Sequence, residues 1–299
     1  MPARILITGA TGTVGGALLR ALATAHKERK ITVVAGARNA AKRERLAALG
    51  VEAVHFDYED RASVRAAVAG AKRLFLATGY SVDMLVHSKT VLDAARGAGV
   101  EHVVHLGAAG SDEQPYAHLI WHAYVERYIE ALGFGYTHLQ PKTFMRNVLA
   151  VIRPGSTVLR QFFGDVRVAW IDPDDIAAVA EAALMDPAAH RKATYRLAVE
   201  ALAMKDVAAT VAAVTGIPFT YEARDPADLL AVLLKSGMET VYATSLARAI
   251  GAAARGEIPG LAEVNDTVER VTGRAGTRWV DFATRHRERF LAAASNHKK

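Results

Sequence analysis

A glycine-rich loop near the amino terminus constrains the fold more than any other feature of this sequence. Residues 8–16 have the spacing Gly-x-x-Gly-x-x-Gly and follow an apolar run at residues 4–7. A helical pattern over residues 14–26 and a second apolar run at residues 31–35 come next. A strand, such a loop, a helix and a second strand form the βαβ unit of a Rossmann-type sheet, whose loop lets backbone approach a pyrophosphate.

The same alternation of apolar runs and helical patterns continues along the first half of the chain. Strands are predicted at residues 51–56, 73–77, 103–106 and 136–139, and helices at residues 40–49, 63–69, 82–98 and 117–132. Continuous apolar strands joined by helices are typical of a parallel sheet that is covered on both faces. We therefore predict an α/β fold with a Rossmann-type, doubly wound parallel sheet.

After residue 141 the alternation gives way to a mostly helical pattern. One helix is predicted from the acidic residues at 172–175 to about residue 185, and others at residues 205–215, 225–235 and 277–293. A strand is predicted at residues 195–199. We expect a small, mostly helical C-terminal lobe. Residues 1–150 are assigned to the Rossmann domain, which would bind the dinucleotide, and residues 151–299 to the remaining sheet elements and the substrate lobe, without a clean boundary.

The residues of the glycine-rich loop are candidates for binding the pyrophosphate of a dinucleotide. The loop leads into the N-terminus of the first helix, where the backbone N–H groups and the helix dipole attract anions. A side chain at the glycine positions would obstruct that approach. The residues predicted to bind the cofactor here are Thr8, Gly9, Thr11, Gly12, Thr13, Val14 and Gly15.

The end of the second strand indicates which dinucleotide is preferred. NAD-selective sheets usually place a carboxylate there for the ribose 2′-hydroxyl. This chain instead has Arg38, and the first acidic residue after it is Glu44. A guanidinium group can bind a 2′-phosphate through two parallel hydrogen bonds and can stack on adenine. We therefore predict NADPH as the cofactor, with Arg38 on its 2′-phosphate.

Composition and charge narrow the functional classes. The chain has 299 residues and no cysteine, which excludes disulfides, thiolate zinc sites and thiol catalysis. The net charge is +6, but the basic residues are scattered, so no nucleic-acid partner is expected. Because the sequence has neither a secretory segment nor a run long enough to span a membrane, we expect a cytoplasmic protein that acts on a small molecule. A homodimer is compatible with these features.

Seven segments of the sequence carry a resemblance to a known family. They are residues 5–15, 37–38, 54–57, 94–102, 136–141, 144–147 and 171–177. Together they resemble the NmrA-like atypical short-chain dehydrogenases, and within that family the NAD(P)H quinone reductases and triphenylmethane-dye reductases. The resemblance covers nearly the whole chain and is specific for the family, but it does not specify a substrate.

The resemblance implies further contacts with the cofactor and the substrate. The cofactor positions are Asp57 beside the adenine, Ala77, Thr78 and Gly79 after the fourth strand, and Gln140 and Pro141 beside the nicotinamide. Phe144 and Asn147 would face the substrate. For Phe144, packing in the core is an equally good interpretation.

The Ser-Tyr-Lys set that active short-chain dehydrogenases generally use is missing. Glycine and alanine occupy residues 107–109, where that serine would fall. Alignment of the next helix with the family places His118 at the tyrosine position and His122 at the lysine position. His118, His122 and Glu126 are successive residues at a spacing of four, so they share one helix face.

Three interpretations of these histidines remain open. His122 could bind the nicotinamide ribose while His118 supplies a proton, because imidazole titrates near neutrality. The two could instead bind zinc with Glu126, or they could be hydrogen-bonded polar residues at the edge of a cleft. We name His118 and His122 as the catalytic candidates and predict no metal site. His105, within an apolar run, is predicted to be a hydrogen-bonded core residue.

The predicted function is NADPH-dependent transfer of hydride to a small carbonyl or conjugated acceptor, such as a quinone or a dye. An electron-poor conjugated acceptor needs less acid assistance than a simple ketone, which agrees with the missing tyrosine. The alternative is a catalytically inactive redox sensor or regulatory protein that binds NADP(H), and the missing triad is compatible with that as well.

Overall fold

Strands and helices alternate from the beginning of the chain in the structure, a computed structural model that describes residues 2–110 and 112–295. The strands, in chain order, are β1 (Ala3–Ile7), β2 (Ile31–Ala37), β3 (Glu52–His55), β4 (Arg73–Leu76), β5 (His102–Leu106), β6 (Gly135–Pro141), β7 (Thr143–Phe144), β8 (Val158–Gln161), β9 (Val168–Ile171), β10 (Ala193–Leu197), β11 (Glu200–Leu202) and β12 (Thr220–Ala223). The helices are α1 (Thr13–Lys27), α2 (Ala40–Ala47), α3 (Arg61–Val68), α4 (Met84–Gly97), α5 (Ala117–Ala131), α6 (Arg146–Val151), α7 (Pro173–Met185), α8 (Met204–Thr215), α9 (Leu229–Lys235), α10 (Thr240–Ala254), α11 (Thr267–Thr272), α12 (Trp279–Arg285) and α13 (Arg287–Ser295).

The described residues form two compact units. The first contains the residues up to Pro115, then Leu119–Pro141 and Ile176–Arg196. The second contains Tyr116–His118, Lys142–Asp175 and the residues from Leu197 onward. The two units therefore interleave along the sequence, and the division at residue 150 stays a prediction.

The first unit is built on a parallel sheet. Within the described residues, this sheet has seven strands in the order β10-β6-β5-β4-β1-β2-β3. The pairs from β6 across to β3 are parallel, and Ile5 of β1 lies opposite Val33 on one side and Arg73 on the other. The strand order reverses between β1 and β4, and sheets of this kind bind ligands beyond the carboxyl ends of the strands at that point. The predicted Rossmann-type fold is confirmed.

Burial explains why the loop between β1 and α1 is held firmly. Ile5, Leu6 and Ile7 of β1 have no exposed surface, because helices cover both faces of the sheet. In α1, Leu18 and Leu22 are one turn apart and are also fully buried, so this face of the helix packs inward. The loop between them is thus anchored by buried elements at both ends.

The second unit combines two small sheets with a helical, aromatic core. Strand β9 lies between β7 and β11, and β8 pairs in parallel with β12. Trp170 of β9 and Trp279 of α12 pack edge to face, with 5.3 Å between their ring centroids. Asp175, which is fully buried in α7, accepts hydrogen bonds from Arg274 and from the backbone N–H and hydroxyl groups of Thr277. The predicted helical character of the C-terminal part is confirmed.

Three details of the chain after residue 141 differ from the prediction. The helix predicted over residues 277–293 is two helices, because the chain leaves the helical conformation at His286, where φ is −104° and ψ is 14°. The strand predicted at residues 195–199 is β10, which lies two residues earlier. Strands β7, β8, β9, β11 and β12 were not predicted, because they have only two to four residues and lie outside the regular alternation of strands and helices that marks β3 and β4.

Candidate functional site

The glycine-rich loop folds back on itself so tightly that side chains are excluded. Gly9 has φ of +61°, in the left-handed region that favours glycine. The backbone N–H of Gly12 donates to the carbonyl oxygen of Gly9 at 2.8 Å. A Cβ atom at Gly15 would lie only 2.2 Å from that same oxygen, so no other residue fits there without moving the loop.

The N-terminus of α1 presents backbone N–H groups that no side chain caps. Gly12 occupies the N-cap position, and no side-chain hydrogen bond is made there within the described residues. The first turn also contains no acidic residue. Thr11, Gly12 and Thr13 are exposed, whereas Val14 and Gly15 are buried. A helix end with this character binds anions, since its first N–H groups and its dipole both point at the ligand.

Thr8 links this loop to the residues that follow β4. Its fully buried hydroxyl group accepts a hydrogen bond from the N–H of Ala77 at 2.9 Å. The hydroxyl of Tyr58 donates to the carbonyl oxygen of Ala77 at 2.6 Å, and burial raises the pKa of Tyr58 to about 12, so this donor stays neutral. Thr78 is half-buried and Gly79 is exposed directly beyond. The predicted positions at residues 8–15 and 77–79 therefore lie together.

The end of β2 presents an exposed guanidinium group. Arg38 follows the last residue of that strand and is exposed. The guanidinium of Arg43 donates to the carbonyl oxygen of Arg38 at 2.6 Å, which fixes the backbone at this point. After the neighbouring strand, the carboxylate of the half-buried Asp57 accepts a hydrogen bond from the N–H of Glu59. The local arrangement has a cation where an NAD-selective sheet has a carboxylate.

At the end of β6, a buried amide meets a buried carboxyl group. Gln140 and Pro141 are both buried. The Nε2 atom of Gln140 donates to both carboxyl oxygens of Glu126, at 3.2 Å and 3.0 Å. Burial raises the pKa of Glu126 to about 7. Sequence reasoning considered Glu126 only as a third metal ligand and did not connect it with Gln140, because the two meet only through the fold.

The two catalytic candidates on α5 have different neighbours. The ring of His118 is buried in the second unit, where its Nδ1 lies 2.8 Å from the hydroxyl oxygen of Ser245. Burial lowers the pKa of His118 to about 4, so this imidazole is neutral at neutral pH. His122 belongs to the first unit, where its ring lies 5.6 Å from the ring of His105. Their catalytic role stays a prediction.

Within the described residues, three buried groups of the first unit come close enough to raise the question of a metal. They are His105, Glu126 and His138, whose candidate ligand atoms lie within 4.8 Å of one another. His105 Nδ1 lies 3.9 Å from a carboxyl oxygen of Glu126. Neighbouring ligands of a tetrahedral zinc ion are about 3.4 Å apart, so this arrangement is wider than a zinc site. His105 is buried, as predicted for a core residue, and its Nδ1 makes no hydrogen bond to a described residue.

Comparison with known proteins decides the family. The sequence pattern of the NmrA-like family matches residues 1–271. The chain belongs to the NmrA-like family. It is 31% identical over 294 residues to an NAD(P)H azoreductase of Xenophilus azovorans, across 97% of this chain and 100% of that protein. It is 30% identical to quinone oxidoreductase 2 of Escherichia coli, across 91% of this chain and 95% of that protein.

A solved crystal structure has the same fold as this chain. The crystal structure of the NADPH-dependent quinone oxidoreductase of Escherichia coli in complex with NADPH superposes with a TM-score of 0.78 at 27% identity. The match covers 94% of this chain and 99% of that one. The predicted resemblance to the NmrA-like family is thereby confirmed.

The predicted substrate positions of this NmrA-like chain lie in its second unit. Phe144 is half-buried in β7, where it pairs with Ile171 of β9. Asn147 is exposed on α6. Phe144 thus contributes to a strand pair and is only partly buried, and a role in substrate binding stays a prediction for both residues.

Proposed function

We propose that the protein is an NADPH-dependent oxidoreductase that transfers hydride to a small conjugated or carbonyl acceptor, such as a quinone or a dye. The observation that supports this most strongly is the uncapped N-terminus of α1 behind a loop that admits only glycine at residue 15. It lies beyond β1, beside the point where strand order reverses. Relatives named as an azoreductase and a quinone oxidoreductase point to the same chemistry.

In this proposal the cofactor binds along the carboxyl ends of the strands of the first unit. Loop residues 8–15 hold the pyrophosphate, Arg38 the 2′-phosphate and Asp57 the adenine side, while residues 77–79 line the middle of the cofactor. Gln140 and Pro141 approach the nicotinamide. The bound cofactor supplies the hydride, and the residues of the chain bind and orient it.

The chain offers few groups that could donate a proton to the acceptor during hydride transfer. No Ser-Tyr-Lys set is present in the sequence, and burial keeps His118 neutral at neutral pH. An acceptor whose reduced form is a stabilised anion or a neutral dye tolerates this better than a simple ketone. We therefore place quinones and dyes above ketones as substrates, and keep His118 and His122 as the residues to test for proton supply.

Turnover with a panel of acceptors tests the proposed function. NADPH oxidation should be rapid with quinones and with azo or triphenylmethane dyes, and slow with simple ketones. A redox sensor or regulator would bind NADPH tightly and oxidise it with none of these acceptors.

His118→Ala and His122→Ala variants, measured in the same assays, show whether either imidazole supplies a proton. A catalytic proton donor contributes about 10²–10⁴-fold in rate.

Arg38→Ala should reduce the preference for NADPH over NADH. The substitution removes the guanidinium group, so the 2′-phosphate of NADPH loses a charge-assisted contact that is worth about 1.5–3 kcal/mol. Titration of both cofactors against wild type and variant measures the effect, and the affinity for NADH should change little. Arg20→Ala, which removes an exposed arginine of α1, is the control. Equal affinity of the wild type for the two cofactors would contradict this assignment.

The proposal also covers the cellular location, the partners and the oligomeric state of the protein. Among the described helices, none combines the length and apolar character needed to cross a bilayer. We propose a cytoplasmic enzyme with a small-molecule substrate and no nucleic-acid partner. A homodimer is compatible with this assignment, and light scattering of the purified protein measures the oligomeric state directly.

A further inference from the structure

A carboxyl group from α5 fills space beneath the end of β5. Glu126 is only 4% exposed. A Cβ atom at Gly107, the first residue after β5, would lie 2.7 Å from Glu126 Oε1 and 3.3 Å from the carbonyl oxygen of Leu139. Glycine at 107 is therefore what makes room for this carboxyl group. Residue 107 lies in the stretch where the serine of the missing triad would fall, so an acid from the helix occupies space that a side chain there would need.

The side chain that this carboxyl group holds is the amide of Gln140. One nitrogen, Nε2, donates to both oxygens of Glu126, at 3.2 Å and 3.0 Å. The two residues come from different elements, α5 and β6, and both are almost completely buried. An amide cannot exchange its oxygen and nitrogen ends freely when its nitrogen is bound in this way. The contact therefore fixes the orientation of the amide plane.

The surroundings of Glu126 supply little positive charge. The Nδ1 atom of His105 in β5 lies 3.9 Å from the carboxyl oxygen, and burial lowers the pKa of His105 well below the usual range. His138 of β6 has its pKa lowered to about 4 by burial, and its Nε2 lies 3.3 Å from Glu130. The more distant charges of Asp112, Arg127 and Glu130 act on Glu126 with opposing signs. His122, on the same helix, packs against His105.

We propose that Glu126 is a positioning residue for the nicotinamide end of the cofactor, which it serves by fixing the side-chain amide of Gln140. The inference rests on the proposed function, in which Gln140 approaches the nicotinamide. The contact on which it depends, from the Gln140 nitrogen to both Glu126 oxygens, is independent of that function. Glu126 itself need not touch the cofactor.

The strength of this contact depends on the protonation of Glu126. Burial raises the pKa of the carboxyl group to about 7, and the hydrogen bond from Gln140 acts in the opposite direction because it favours the ionised form. A hydrogen bond to an ionised carboxylate is roughly twice as strong as one between neutral groups. As the pH falls through about 7, Glu126 gains a proton and holds Gln140 less firmly. Affinity for NADPH should therefore weaken on the acidic side.

Two substitutions separate positioning from simple packing. Glu126→Gln keeps the size of the side chain and an oxygen that can accept from Gln140, but it cannot titrate. Glu126→Ala removes the acceptor altogether. Glu130→Gln is the matched control, because it makes the same chemical change one turn further along α5 at a partly exposed carboxyl group. For each protein, the dissociation constant of NADPH and the values of kcat and KM are measured from pH 5.5 to 8.5.

We expect the wild type to bind NADPH more weakly as the pH falls through about 7, and Glu130→Gln to do the same at a lower pH, because the charge of Glu130 raises the pKa of Glu126. Glu126→Gln, whose side chain is neutral at every pH, should bind NADPH across the whole range about as weakly as the wild type does at pH 5.5, and should lack that dependence. Titration of the cofactor's own phosphates is common to all variants, so the difference between them reports on Glu126. Glu126→Ala should bind about tenfold more weakly at pH 8, the effect of one lost hydrogen bond to a charged group.

A second measurement follows the carboxyl group without any cofactor. The infrared difference spectrum between pH 6 and pH 8 should contain the C=O band of a protonated carboxylic acid in the wild type, and this component should be missing in Glu126→Gln. An unchanged band in that variant would overturn the proposal. So would a Glu126→Gln profile identical to that of the wild type, or full NADPH affinity in Glu126→Ala.

The outcomes also distinguish this inference from the proposed function. NADPH binding with the expected pH dependence but without turnover would contradict the reductase and support the positioning role. Normal turnover with no difference between the variants would contradict the positioning role alone. One bound metal ion per purified chain that is lost in Glu126→Ala, detected by elemental mass spectrometry, would overturn the positioning role in favour of a ligand role.

Discussion

Replacing Gly12 with valine should abolish NADPH binding while leaving the protein folded. A Cβ atom at this position would lie 3.1 Å from the carbonyl oxygen of Gly9, which is already tighter than an ordinary contact. The two branches of valine add further bulk at the N-cap of α1, where backbone must approach the pyrophosphate. Loss of the charge-assisted contacts there, at about 1.5–3 kcal/mol each, should weaken binding by more than about 100-fold.

The measurement is a titration of NADPH against wild type and variant, with circular dichroism to confirm the fold. Gly97→Val is the control, because the Cβ that it adds near the end of α4 meets no heavy atom within 4 Å apart from its own stretch of helix. This control should bind NADPH like the wild type. If Gly12→Val bound NADPH with undiminished affinity, the loop would be a turn without a role in cofactor binding.

Acidification from pH 7 to pH 4 should destabilise the protein by several kcal/mol. Burial lowers the pKa values of His102, His118 and His138 to about 4 and that of His105 well below the usual value. Between the usual pKa of 6.5 and these values, the unfolded chain binds more protons than the folded one, so stability falls as the pH falls. Each of the three histidines with a pKa of about 4 contributes up to about 3 kcal/mol to that loss.

Glu126 acts in the opposite direction. Its pKa in the folded protein is raised to about 7, so its contribution to stability is fully present below its ordinary pKa of 4.5 and is lost as the pH rises to about 7. Glu126→Gln should therefore lose more stability on acidification than the wild type does. His102→Asn should lose less. Thermal or urea unfolding at pH 7, 5.5 and 4.5 measures these slopes, and equal stability of the wild type at pH 7 and 4.5 would refute the assignment of neutral buried histidines.

Local patterns were sufficient to predict the parallel sheet. Strands β1, β2, β4 and β5 each contain an apolar run because helices cover both faces of the sheet, and glycines mark several of the turns. The loop after β1 was predictable for a similar reason, because its requirement for glycine arises within a few residues. The carbonyl oxygen of Gly9 leaves no room for a side chain at residue 15. Such features depend on short stretches of sequence, which is why no tertiary information was needed.

The parts that escaped prediction depend on contacts between distant residues. The break between α12 and α13 lies inside a continuous helical pattern, and nothing in the local sequence marks His286 as its position. Glu126 and Gln140 are 14 residues apart and meet only when α5 packs against β6. The helical spacing of His118, His122 and Glu126 suggested one shared site. In the structure His118 contacts Ser245, whereas Glu126 contacts Gln140.

Hydride transfer from bound NADPH is the central claim, and an anaerobic single-turnover reaction tests it most directly. Protein in excess is loaded with NADPH and mixed with a quinone, and the loss of reduced nicotinamide is followed together with the formation of hydroquinone. The account predicts that one NADPH is oxidised for each quinone reduced. It also predicts a slower reaction when the transferred hydrogen at C4 of the nicotinamide is replaced by deuterium. NADPH that stays bound and reduced in the presence of quinones and dyes alike would contradict the account.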